Sequence, residues 1–256
     1  MIHTNTGEIQ KRQLRQTAVG GSADIYRILN LYACLGGNRY KWDEVAKEAN
    51  ITIEVTAVEL DVDLAKLYQE RFPHDRVIVT DAHQYLLDNY KDFDFIWTSP
   101  PCPSHSRVRF SQKNRENCDA VYPDFKLYEE VVLLDNYFDG KFVVENVIPF
   151  YDPLISSKKR GRHLYWTNFL LPSDIGERDG TGIISKAKNE VDVLCKFHDY
   201  DFHKYKGKQR KDKIARNLVD YEAGRKIFEI ALGIEKKKNV NQISIFDAVL
   251  SCPTLR

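Results

Sequence analysis

Residues 54–81 read EVTAVELDVDLAKLYQERFPHDRVIVTD. Two short apolar runs, Glu54-Val55-Thr56-Ala57-Val58-Glu59 and Arg76-Val77-Ile78-Val79-Thr80-Asp81, flank a segment from Asp63 to Phe72 that reads as a helix. The runs suit buried strands in length and in β-branched content, and each ends on a carboxylate. Working outward, the same alternation recurs. Upstream, Arg27-Ile28-Leu29-Asn30-Leu31-Tyr32 is a strand pattern running to Gly36-Gly37, followed by an amphipathic stretch from Trp42 to Asn50. Downstream come a helix at His83 to Asn89, a strand at 93–98, a helix at Phe125 to Phe138, and strands at Lys141 to Val147 and Leu164 to Phe169. Strands alternating with helices predict a doubly wound α/β fold whose parallel sheet presents ligands at the carboxyl ends of its strands.

The flanks are less regular. Residues 1–26 form a polar lead-in, and 103–124 is a long polar loop expected to act as a mobile lid. From 170 to 208 the pattern breaks down, Ile214 to Leu232 reads as one helix, and Lys236-Lys237-Lys238 opens a tail. A chain of 256 residues, 43% hydrophobic and 12% aromatic, is sized for one α/β domain with a small appendage. A formal charge of +1 gives no global basic field, so contacts to nucleic acid require local patches. No apolar run approaches the roughly 18 residues of a membrane span, and the N-terminus has no apolar signal core, so a cytoplasmic protein is expected. The five cysteines (34, 102, 118, 195 and 252) lack a C-x-x-C spacing, and the seven histidines lack ligand spacing. Neither a disulfide framework nor a metal site is expected.

Chemistry concentrates in two places. Residues 98–106 read Thr-Ser-Pro-Pro-Cys-Pro-Ser-His-Ser, and Val143-Val144-Glu145-Asn146-Val147 closes a later strand. A thiol behind two prolines, delivered by one strand end beside a carboxyl from another, suits a nucleophile paired with a general acid.

With these residues in view, the stretch from about 28 to 232 resembles the C5-cytosine DNA methyltransferase family, in a compact, phage- or prophage-like form. Leu31-Tyr32-Ala33-Cys34-Leu35-Gly36-Gly37 is similar to the family's first motif. The resemblance implies a Rossmann-like sheet using S-adenosylmethionine, held by Tyr32, Gly36, Gly37, Glu59 at the ribose, Asp81 at the adenine, Pro100 and Asn217. Glycines at 36 and 37 are read as letting the backbone approach that ligand. The resemblance makes Cys102 the nucleophile at cytosine C6 and Glu145 the acid at N3. Arg160 and Arg162, in Lys158-Lys159-Arg160-Gly161-Arg162, stand where the family has Gln-x-Arg-x-Arg, and are expected to grip the flipped cytosine and a phosphate.

Departures accompany the match. Pro103 replaces the glutamine that usually follows the cysteine, leaving Ser104, His105 and Ser106 as candidates for its contact. Arg216 replaces the glycine of the closing Gly-Asn-x-Val motif, and the arginine-rich ninth motif is not recognisable. The implied division is a catalytic and cofactor-binding part at 1–168, a small irregular target-recognition region at 169–208, a returning helix at 209–235 and a tail at 236–256. Double-stranded DNA is the expected partner, contacted by Ser104, Arg107, Arg109, Lys204 and Lys206, with Phe197, Tyr200, Phe202 and Tyr205 suited to groove insertion. Gln242-Ile243-Ser244-Ile245-Phe246 resembles the peptide that docks bacterial proteins on the sliding clamp. Three alternatives stay open: a tRNA-acting C5 enzyme, an amino-methyltransferase at cytosine N4 or adenine N6, and a non-catalytic DNA-binding relic. Thr98-Ser99-Pro100-Pro101 also fits the amino-methyltransferases, which place an aromatic where Cys102 stands.

Overall fold

The computed structural model describes residues 25–109, 119–179 and 189–234. Its centre is a seven-stranded sheet built from β1 (Ile25–Leu31), β2 (Thr52–Val58), β3 (Arg76–Ile78), β4 (Phe95–Thr98), β5 (Lys141–Val147), β6 (Lys158–Arg160) and β7 (His163–Thr167). The strands lie in the order β3-β2-β1-β4-β5-β7-β6. The first five run parallel, and β7 pairs antiparallel with both β5 and β6. This is a mixed, Rossmann-like α/β sheet. Strand order reverses beside β1, where an open α/β sheet leaves a crevice for ligands.

Seven helices flank the sheet among the described residues: α1 (Trp42–Glu48), α2 (Val62–Arg71), α3 (Ala82–Asn89), α4 (Lys126–Tyr137), α5 (Glu190–His198), α6 (Lys211–Asn217) and α7 (Tyr221–Ala231). Burial on both faces explains the unbroken apolar strand runs. Leu29, Ile96 and Val144 pack with Leu86 and Leu134 on one face. Their strand neighbours Ile28, Phe95 and Val143 pack with Trp42 and Phe228 on the other. No described helix is long and apolar enough to cross a membrane.

Six strands and the first four helices follow the sequence pattern, whereas β6 falls at Lys158–Arg160, where no strand is expected. Two further segments differ. The stretch expected to be one helix from Ile214 to Leu232 is two, α6 and α7, broken at Leu218–Asp220. The break is encoded by Asp220, whose carboxylate caps the backbone N–H groups of Glu222 and Ala223. Within the patternless 170–208 stretch, Glu190–His198 forms α5, and Leu194, Phe202 and Tyr205 share a core with Leu35, Leu64 and Leu218. Leu171 and Ile175 join the core beneath β1 and β4. The described part of 169–208 therefore has no core of its own. The sliding-clamp-like Gln242–Phe246 lies outside the described residues.

Candidate active site

The carboxyl ends of β1, β2, β4 and β5 open onto a cavity of about 730 Å³. Along its wall stand Tyr32, Glu59 and Asp81 at one end, and Cys102, Glu145 and Arg162 at the other, with Pro100, Gly37 and Asn217 also contributing. Sheet register brings Cys102 and Glu145 to one cavity. Thr98 of β4 pairs with Val144 of β5, so the Pro-Pro-Cys turn leaves one strand beside Glu145 near the carboxyl end of the next. Pro100 and Pro101 restrict the turn. Asn146 clamps it by donating from Nδ2 to the Pro100 carbonyl at 2.9 Å, while its Oδ1 accepts from the Val147 amide. Beyond the turn, the Cys102 carbonyl accepts from the amides of His105 and Ser106, both at 3.0 Å.

Cys102 is half-buried, is free of any disulfide and lines the cavity. Burial, then the nearby Glu145 charge, pushes its pKa upward, with Lys213 pulling in the opposite direction. Glu145 is 6% exposed. The His163 ring lies beside it, with Nε2 at 3.6 Å from Oε1, and the other ring nitrogen lies 3.6 Å from Glu177 Oε1. Burial lowers the His163 pKa, but the two carboxylates outweigh it and the net shift is upward.

A second buried carboxylate braces the opposite wall. Glu130 of α4 has no solvent exposure. It accepts from Tyr32 Oη at 2.6 Å and Thr98 Oγ1 at 2.6 Å, and lies 3.0 Å from His83 Nδ1. One side chain thus ties the ends of β1 and β4 to α3 and α4.

Glu59 accepts from the amides of Cys34 at 2.8 Å and Asp61 at 2.9 Å, which orients it at the end of β2. Asp81 caps α3 through the Gln84 amide and stays exposed at the cavity rim. Asn30, 1% exposed, also lines the cavity, and its Nδ2 is a buried donor with no protein partner. With two carboxylates for hydroxyl or amino groups, this wall fits an adenosine-bearing cofactor.

Several expectations need correction. Arg160 does not reach the cavity; its guanidinium donates to the carbonyls of Lys159, Leu171 and Pro172, which fixes the β6 edge. Arg162 alone of the two arginines lines the cavity. We expect Arg160→Ala to lower the melting temperature, by the equivalent of about 1–3 kcal/mol, with turnover at saturating substrate within about twofold of wild type. A thermal melt beside a kinetic assay checks both.

Gly36 serves packing, and Gly37 does so while also lining the cavity. Gly36, at φ +66°, is absent from the cavity wall, and a Cβ there would strike the rings of Phe72 and Tyr68. A Cβ on Gly37 would meet the Val219 carbonyl oxygen at 2.2 Å. Gly36 therefore admits protein neighbours where close ligand approach is expected, whereas Gly37 borders both Val219 and the cavity.

The start of the 103–124 loop is pinned. His105 is 1% exposed and bonded to Tyr151, which removes it from the candidates for a phosphate contact. Ser106 pairs with Pro149, and Ser104 Oγ accepts from the Asp124 amide at 3.0 Å. Arg109 donates to the Pro103 carbonyl, while Arg107 projects outward. Lys204 and Lys206 are exposed, but Phe202 and Tyr205 between and beside them are 0% and 1% exposed, so those aromatics belong to the core and cannot enter a groove.

Against this geometry, the profile of the family described as C-5 cytosine-specific DNA methylase matches residues 26–153, from β1 through the Pro-Pro-Cys turn to the end of β5 and beyond. The chain belongs to this family. Its members use S-adenosylmethionine, and the Glu59–Asp81 wall is the part of this chain suited to hold it.

No curated protein matches the chain. Among solved structures, an Entamoeba histolytica methyltransferase, EhMeth, is 12% identical over 82% of this chain and 98% of its own, at a TM-score of 0.47. A Spodoptera frugiperda DNMT2 mutant is 24% identical over 50% of this chain, at a TM-score of 0.34. The matched region spans only 38% of that DNMT2 chain.

Proposed function

We propose that this methylase family member transfers a methyl group to cytosine C5 in duplex DNA through a covalent bond between Cys102 Sγ and C6 of an extruded base. The observation that carries the reading is a single cavity walled by Cys102 and Glu145 at one end and Glu59 and Asp81 at the other.

Cytosine C5 is a poor nucleophile. Addition of the Cys102 thiolate to C6 converts the ring to an enamine whose C5 is reactive, while Glu145 donates a proton to N3 as charge builds there. S-adenosylmethionine, when bound along the Glu59–Asp81 wall, supplies the electrophilic methyl group that C5 accepts. A base, such as water, then takes the C5 proton, and Cys102 leaves by β-elimination. Both reacting carbons are hidden in the stack of a duplex, so extrusion costs a few kcal/mol. Arg162, which lines the same cavity, is assigned to grip the extruded base. Ser104, Arg107, Arg109, Lys204 and Lys206 supply backbone contacts that offset the cost of extrusion.

The test is trapping on duplex DNA carrying 5-fluorocytosine, where fluorine blocks elimination. Wild type should form an adduct stable to denaturation when S-adenosylmethionine is present, and Cys102→Ser should form none. Equal labelling of both proteins, or no adduct on any nucleic acid, would overturn the reading. An adduct on fluorinated tRNA alone would keep the chemistry and move the substrate class.

A further inference from the structure

We propose that His163 and Glu177 form a proton relay that supplies Glu145 with the proton it gives to cytosine N3. This deepens the C5 reading above and rests on it. The arrangement follows from sheet register. Glu145 of β5 pairs with Tyr165 of β7, and Val147 pairs with His163. His163 is therefore the diagonal neighbour of Glu145 on one face of an antiparallel pair, within reach of a long side chain.

Its ring lies between two acids, with Nε2 at 3.6 Å from Glu145 Oε1 and Nδ1 at 3.6 Å from Glu177 Oε1. Both gaps are slightly longer than hydrogen bonds, as catalytic contacts commonly are before substrate binds. Glu145, His163 and Arg162 all line the cavity. The family position where an arginine is expected to grip the base is occupied differently here, because Arg160 is turned onto three carbonyls. An arginine beside Glu145 could neutralise it but not exchange a proton with it; an imidazole can do both.

In the step itself, the Nε2 proton of His163 passes to Glu145, and the Glu145 O–H donates to N3 as the C6–S bond forms. Glu177 holds the Nδ1–H throughout and stabilises the imidazolium. After Cys102 leaves, the N3 proton returns through Glu145 to His163, so the one proton released overall is that of C5. The charged and titratable groups facing His163 are Glu145 from β5, Glu177 from the segment after β7, Arg162 from the β6–β7 turn, and Tyr165 from its own strand. Glu145 and Glu177 act to keep the ring protonated, and Arg162 acts against them.

The experiment is a pH profile of single-turnover methyl transfer for wild type, His163→Gln and Glu177→Gln, beside an NMR titration of the His163 ring in the same proteins. Wild type should show a break in its profile at the midpoint of the ring titration. Glu177→Gln should move both to lower pH together, and His163→Gln should lose the break and about tenfold or more in rate. Should His163→Gln fail to fold, the matched shift in Glu177→Gln decides. The relay is overturned if His163→Gln keeps the wild-type profile and rate, or if the ring midpoint moves in Glu177→Gln while the kinetic break does not. Loss of the C5 reading looks different: wild type itself then fails to trap on 5-fluorocytosine, and the relay falls with it.

Discussion

Glu145→Gln is expected to lose methyl transfer by about 10²–10⁴-fold while its Cys102 is alkylated faster than in wild type. General acid catalysis accounts for the first effect, since a glutamine amide cannot pass a proton to N3. The second follows from electrostatics. The Glu145 charge is among the influences raising the Cys102 pKa, after burial itself, so removing it lowers that pKa and increases the thiolate fraction at any pH below it. A variant that loses catalysis because its site has collapsed would not gain thiol reactivity. Timed alkylation with iodoacetamide, read by mass spectrometry at Cys102, measures one effect, and methyl transfer to DNA measures the other. Slower alkylation in Glu145→Gln would sink the electrostatic account of this site.

The second large effect is expected at Glu130. Glu130→Ala should destabilise the fold by about 3 kcal/mol, because it strands the buried Thr98 hydroxyl and the part-buried Tyr32 hydroxyl and removes the partner of His83. The loss should depend on pH. The hydrogen bond to Glu130 is the largest influence on His83, and its pKa is raised in the folded protein. A raised folded-state pKa contributes stability that is fully present below the unfolded value, about 6.5, and is lost as pH rises through the folded value. The gap between wild type and Glu130→Ala should therefore be widest in acid and narrow toward alkaline pH. Urea denaturation at several pH values checks this, and a gap independent of pH would show that His83 is not coupled to Glu130. Because Tyr32 and Thr98 both lead into the cavity walls, the variant should also bind S-adenosylmethionine more weakly, as calorimetry can measure.

The parts of the site that could be read from the chain are those whose backbone demands a particular residue or pattern. The strand ends at Glu59, Asp81 and Glu145 follow from apolar runs that stop at a carboxylate, and Cys102 follows from the prolines before it. Glu130 left a fainter trace: it interrupts the apolar stripe of α4 formed by Leu127, Val131 and Leu134, which marks a buried acid in need of partners. His163 shares the period-two face of β7 with Tyr165, a signal that exists but does not name Glu145 as its neighbour. Glu177 lies in a segment without periodicity, and nothing local sets it apart. Arg160 and Arg162 show the limit from the other side. They are two residues apart in one basic run, yet one braces carbonyls and the other lines the cavity, because a glycine turn at Gly161 (φ +50°) ends β6 between them.

By itself the sequence determined the alternation of strands and helices, the family, and which strand tips carry the thiol and the acids, since these depend on local burial pattern and turn chemistry. The tertiary structure alone decided which side chain faces Glu145, which glycine serves packing alone, and where the described part of the patternless 169–208 segment docks. Those outcomes depend on sheet register and on contacts between residues distant along the chain, such as Glu177 with His163 and Gly37 with Val219, and no local pattern encodes them.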